Sequence, residues 1–352
     1  NLTVSGTGTK TLGAALTLAS GGTLTVSGGT FDPSSYLVTG SGSNTITVSN
    51  ATLAVGGATF ASSYSAAFTT INLNAGSVVS YNSSGAQIIR NDLSYVGLAT
   101  ATGGTKTLGG NTTVSGAVTL GASSALGLSS YTLTLSNTGS SLISGSGSLT
   151  GGTGTVKFTG NGSVTIPAYS YYTLELSPTI STGQTYTLQA ATVSGDFNII
   201  PGGSGLLTVN MGANLVVTGT TTVSRTSTAT SKLDAFSGSE KNLTTGYLTI
   251  AAGGTYLPQI ATLTLTGTSG TLFTLNASGT FTPSGSTTII SGNGDTTINS
   301  GSPTFNNLTI SGTGTKTLGA SVTINGTFTL TQGTFATGNY DLSIASFSSS
   351  NT

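Results

Sequence analysis

The sequence predicts an all-β chain folded as a parallel β-solenoid, a β-helix with rungs of about 22 residues. Three observations lead there. A 14-residue stretch recurs almost unchanged, strand-like tripeptides return at a step of 22, and short alternating strands are separated by glycine pairs.

The long repeat comes first. Asn1-Leu-Thr-Val-Ser-Gly-Thr-Gly-Thr-Lys-Thr-Leu-Gly-Ala14 returns at Asn307 to Ala320 with one change, Val4 becoming Ile310. A weaker copy runs from Leu93 through Gly104-Thr-Lys-Thr-Leu-Gly109. Inside it sits the shorter period: Leu2-Thr-Val-Ser, Leu24-Thr-Val-Ser and Ile46-Thr-Val-Ser are each 22 residues apart, as are Ile71-Asn-Leu and Leu93-Ser-Tyr. Later copies at Leu133, Leu174, Leu215 and Leu263 drift, as insertions at turns require. Equal steps arise naturally when each unit closes one coil.

Each unit holds two or three short strands. In Thr23-Leu-Thr-Val-Ser, Leu24 and Val26 point to one face and Thr23 and Thr25 to the other, because successive side chains alternate along a strand. Ser-Gly, Gly-Gly and Thr-Gly pairs between strands supply turns needing positive φ. No stretch reads as a helix of useful length. The domain organisation that follows is one continuous array over residues 1–352. A second fold class fits the same turn spacing: tandem antiparallel β-sandwich domains, with Thr3 to Leu12 as a hairpin about Gly6 to Gly8.

Composition agrees with an ordered β protein and narrows its chemistry. The 352 residues include 53 glycines, only 5% are charged, and the net charge is zero. Disordered chains combine low hydrophobicity with high net charge, so they are a poor match. A chain without cysteine or histidine has no disulfide, no thiolate metal ligand and no imidazole base. The charge balance offers no footprint for nucleic acid, and no apolar run is long enough to insert in a membrane. No signal peptide is recognisable, so the chain reads as a mature form or a fragment.

The LTVSG-type strands and the TGTKTLG unit at 7–13 and 313–319 resemble the Gly/Ser/Thr-rich β-helical repeats of bacterial surface proteins, the filamentous-haemagglutinin-like and autotransporter-passenger-like adhesins. The resemblance covers most of the chain through composition and periodicity. It implies an extracellular or cell-surface location and an adhesive or scaffolding role, and it carries over no catalytic residue.

Candidate chemistry is sparse. Glycoside hydrolysis uses two carboxylates facing one groove, and of the eight acids only Asp234 and Glu240 lie close in sequence, in the charged segment Lys232 to Lys241. That segment reads as a solvated loop, Arg90-Asn-Asp92 as a local ion pair, and Asn293-Gly-Asp295 as a fragment of a calcium loop without the further acids. No catalytic residue, metal or cofactor is therefore expected. Lys10, Lys106 and Lys316, equivalent in the three motif copies, read as outward charges that discourage aggregation. Thr-x-Thr pairs at Thr23/Thr25, Thr45/Thr47, Thr132/Thr134 and Thr262/Thr264 resemble the ice-binding face of some antifreeze proteins, although any Thr-rich strand produces them. Tyr169, Tyr171 and Tyr172, with Phe305 in a later copy, read as aromatics stacked at a coil turn, the other reading being a carbohydrate platform.

Glycosylation sequons occur at Asn1, Asn50, Asn82, Asn111, Asn161, Asn242, Asn276, Asn307 and Asn325. Neither terminus reads as a cap, which fits either a window of a much longer repeat protein or end-to-end contact between copies, through Leu2 and Val4 at one edge and Leu342 and Ile344 at the other. The expected function is thus a structural extracellular protein, a subunit of a self-assembling filament, sheath or stalk. An adhesin or carbohydrate-binding module that contacts cell-surface glycans is the alternative. An ice-binding or polysaccharide-active β-helix ranks third.

Overall fold

The structure is a computed structural model, and it describes every residue except Ser141, Gly151, Ala190, Ala191, Ser237, Asn351 and Thr352. The chain divides into two compact units, Asn1–Asn137 with Ser141–Lys157, and Thr138–Ser140 with Phe158–Thr352. Each is a parallel β-solenoid.

In the first unit, a rung is three strands: Leu2–Val4, Thr9–Thr11 and Leu16–Leu18 complete one circuit before Thr23–Val26 begins the next. Leu2 lies opposite Leu24, and Leu24 opposite Ile46, so the 22-residue step is the pairing register itself. Inward positions stack like on like. Leu24, Val26, Ile46 and Val48 are completely buried, each such burial being worth about 1.5–3 kcal/mol. Thr23 and Thr25 line up with Thr45 and Thr47 on the outer surface.

The named strand ladders of both units are parallel, which removes the antiparallel sandwich. The hairpin about Gly6 to Gly8 does not form either: Leu2–Val4 pairs with Thr23–Val26 and Thr9–Thr11 with Thr30–Asp32. The positive φ values of Gly6 and Gly8 turn a corner between walls of the coil.

The step is not constant. It shortens to 19 where Ile89 faces Leu108 and lengthens to 28 where Leu215 faces Leu243. The Leu93 copy is one casualty of this drift. Phe68–Leu73 is the last strand of its four-stranded sheet, while Ser94–Tyr95 pairs with Thr112–Val114 in a different sheet. Extra residues collect at corners, where no ladder bond is lost. The largest irregularity in the first unit is a helical turn, Phe60–Ser63, closed by a capping box between Thr59 and Ser62. It falls where the step between Ile46 and Ile71 grows to 25.

In the second unit, Val164–Ile166, Gln184–Leu188, Leu206–Met211, Thr230–Asp234, Gly254–Leu257 and Thr280–Phe281 make one wall. Longer strands such as Leu215–Val223 run round a corner, with the register against Leu243–Ile250 shifting between Val217 and Thr220. Phe273, Phe281 and Phe305 interlock edge to face with centroids 5.0–5.8 Å apart, a geometry that adds to their burial.

Candidate functional site

The acids do not converge. Asp234 accepts from Gln259 Nε2 at 3.2 Å and lies 3.4 Å from Lys232 Nζ, while Glu240 sits at the foot of the same loop, bridged to Phe236 through the main chain. Asn293 and Asp295 use their side-chain oxygens on the next rung, accepting from the backbone N–H of Thr313 (3.1 Å) and Thr315 (2.7 Å). Among the described residues, no group of three or more Asp and Glu comes together as a metal site would require.

The lysines correct the sequence reading. Lys106 and Lys316 are completely buried. The Lys106 ammonium donates to the carbonyls of Ser83 (2.6 Å), Gly85 (2.8 Å) and Gly103 (2.7 Å). Lys316 donates to Thr313 O at 2.6 Å and to Gly294 O. Each ammonium thus gathers carbonyls from its own corner and from the corner one rung earlier. Burial lowers both pKa values, with Asp295 opposing this at Lys316. Lys10 is half-exposed and donates to Thr7 O and Gly8 O of its own corner. Charge alone put these lysines outside in the sequence reading. The Thr-Lys-Thr alternation places Lys inward just as it places Leu inward, and a four-carbon stem can line a core while its head reaches backbone oxygens.

Several sequon asparagines belong to an inter-rung ladder. The side-chain oxygens of Asn1, Asn111, Asn242 and Asn307 accept from the backbone N–H of Thr23, Thr132, Thr262 and Thr327 at 2.8–2.9 Å. Asn at the start of a strand, followed by an inward Leu and an outward Thr, spells Asn-Leu-Thr by alternation alone. Asn82 is half-buried and donates to Asp32 at 3.2 Å; Asn50, Asn161, Asn276 and Asn325 are exposed. Of the expected edge residues, Val4 is buried, Leu2 and Leu342 half-buried and Ile344 exposed.

The Thr faces are interrupted. The Thr23/Thr25 and Thr45/Thr47 rows continue into Thr70 and Asn72, and Thr264 lies opposite Ile289. Tyr171 is buried, and its hydroxyl donates to Pro167 O at 2.8 Å.

The place where chemistry-bearing groups do gather is the corner at Phe60–Ser63. A cavity of about 680 Å³ opens there, lined by Phe60, Tyr64, Ile88, Arg90, Asn91 and Asp92 among others. Its floor is an aromatic cluster: Tyr64 packs against Phe60 (centroids 5.0 Å), Phe68 (6.4 Å) and Phe31 (6.5 Å). The Arg90 guanidinium lies 5.2 Å above the Phe60 ring and forks onto Asp92, with Nη2 2.8 Å from Oδ2. The hydrogen bonds from Arg90 hold the Asp92 carboxyl below its ordinary pKa. Behind the pair, two buried tyrosines pin the backbone of Arg90. Its N–H donates to Tyr81 Oη at 2.9 Å, and Tyr95 Oη donates to its carbonyl at 2.6 Å.

No family model matches the chain, and neither curated proteins nor solved structures are significantly similar to it. The chain is a Thr/Gly-rich parallel β-solenoid of repeats. Sequence reasoning saw Arg90-Asn-Asp92 as a local ion pair, which it is. It had no signal for the cavity, since the helical turn that forms one wall is only four residues long.

Proposed function

We propose that this chain is a structural, extracellular protein that assembles by stacking copies end to end into a filament, sheath or surface stalk, of the surface-protein type that its repeats resemble. The observation that carries this reading is the near-identical rung at 1–14 and 307–320. In its second occurrence, Thr315–Thr317 is paired on both edges, with Thr296–Ser300 on one side and Thr334–Ala336 on the other. The same rung sequence is therefore built to receive a neighbour on either edge through main-chain bonds alone. In its first occurrence, Leu2–Val4 pairs with Thr23–Val26, and in Leu342–Ser349 the side chains of Ile344 and Phe347 are exposed. Addition of strand to strand across such edges is β-augmentation. Contacts of this head-to-tail kind, which do not close on themselves, propagate.

In this reading, Leu2 and Val4 of one copy meet Leu342 and Ile344 of the next. The outward sequons, Asn161, Asn276 and Asn325 among them, carry glycans if the chain is exported through a glycosylating pathway. Electron microscopy of the purified protein near neutral pH is the test. Filaments whose axial repeat equals one chain support it. Dispersed single particles across the accessible concentration range sink it.

A further inference from the structure

We propose that the corner cavity beside Phe60–Ser63 binds a neutral saccharide. This goes beyond the structural role and does not rest on it.

The repeat itself marks the spot, because the sequence departs from its own pattern there. On the wall containing Gln87–Ile89, the outward column reads Ile88, Thr107, Gly127 and Thr150. Ile88 breaks that small or polar column and is 54% exposed. Solvation of an outer face favours the threonine used one rung later, and isoleucine's strand preference is all that folding offers in return. Departures from local rules concentrate where a surface does work. The three extra residues in the step from Ile46 to Ile71, which raise the cavity wall, are a second departure in the same place. In repeat proteins such insertions build the binding face.

The polar rim is held ready. Tyr81 and Tyr95 fix the Arg90 backbone from inside, the Phe60 ring supports the guanidinium, and Asp92 fixes its direction. Less ordering is left to do at the moment of binding. The volume of about 680 Å³ falls in the range of small-ligand sites.

The chemistry of the rim selects the ligand class. Arg90 and Asp92 neutralise each other, so an ionic ligand would have to break a formed pair. An uncharged ligand need only use what the pair leaves over. Carboxylate oxygens keep lone pairs after accepting one bond each, a guanidinium has five donors, and the Asn91 amide offers both kinds. The Asp92 side chain is 61% exposed and so reachable. Beside these lies the apolar, exposed Ile88. A partner with adjacent hydroxyls along one edge and a C–H face on the other fits this division, and that is a pyranose ring.

The test is saturation-transfer NMR with calorimetry, using lactose, chitotriose and maltotriose, with sialyllactose as the anionic control, up to about 10 mM. At least one neutral sugar is expected to bind. Ile88→Thr, which installs the repeat's own residue, and Asp92→Ala should each weaken it at least about tenfold, with the unfolding midpoint unchanged. The proposal is overturned if no neutral sugar binds, if affinity survives both substitutions, or if sialyllactose is preferred. The sugar measurement reads one chain at a time, so its failure leaves the filament question untouched.

Discussion

Lys106 lies directly opposite Gln87 in the parallel register, and both reach from the inner face to corner carbonyls. Gln87 Nε2 donates to Val55 O (2.7 Å) and Gly57 O (2.6 Å), one rung before the carbonyls that Lys106 takes at Ser83 and Gly85. At these corners an inward polar residue on the next rung donates to main-chain carbonyls. An amide and an ammonium do the same work in adjacent rungs.

Replacing Lys106 by methionine keeps the stem and removes the donors. Part-buried carbonyls left unpaired cost about 1 kcal/mol or more each, and relaxation of the corner returns part of that. A net loss of about 3 kcal/mol is expected, read as a lower denaturant midpoint. Lys10→Met, at a half-exposed corner, should shift the midpoint by less than about 0.5 kcal/mol. Equal effects at the two sites would contradict the carbonyl cage.

The phenols give a pH prediction. Burial raises the pKa of Tyr64, Tyr81, Tyr95, Tyr171, Tyr186 and Tyr256, that of Tyr81 to about 12. Once unfolded, these phenols ionise near the ordinary value of about 10. Above it the unfolded chain holds fewer protons than the folded one, so stability is complete below that value and falls as pH rises. Alkaline titration should show these tyrosines ionising late and together, in the same step that abolishes the β-sheet circular dichroism. Non-cooperative ionisation with the sheet intact would argue against their burial.

Inner and outer positions of one strand should respond oppositely. Leu24→Ala opens a cavity among stacked aliphatics and is expected to cost about 2–5 kcal/mol. Thr25→Lys, on the half-exposed outer row, should change stability by less than about 0.5 kcal/mol. Thermal unfolding of the two variants side by side decides it.

The asparagine ladder is testable at Asn242, whose backbone N–H donates to Asn214 Oδ1 and whose own Oδ1 accepts from Thr262 N, both at 2.9 Å. Asn242→Ala removes the acceptor only, for an expected loss of about 1 kcal/mol. Hydrogen exchange at Thr262 should accelerate while amides several rungs away keep their protection.

Much of the fold was legible because a parallel coil writes its geometry into the sequence as a period. Leu2, Leu24 and Ile46 announce their own register. The period gave out where corners absorbed residues, and so Ile71 lies within a strand while Leu93, also 22 residues on, falls just before the strand Ser94–Tyr95 of a different sheet. Side-chain direction was less secure for polar residues. Lys106 and Lys316 occupy inward places that hydropathy assigns to solvent, because the carbonyls that welcome them belong to another rung and leave no local trace. The corner cavity was invisible for a related reason. Phe60, Ile88 and Asp92 are drawn together by one coil closing over the next, and their spacing in sequence carries no motif.

The uneven rung has an evolutionary consequence. Steps from 19 to 28 residues coexist because the surplus leaves at corners or as a local register shift, with the pairing resumed on either side. A loop gained or lost there changes one coil's circumference and leaves the strands above and below in register. Such a chain can acquire a new surface feature by a single small insertion, then copy the altered coil by duplication. Its lineage can diversify one corner at a time, on a scaffold that never has to be rebuilt.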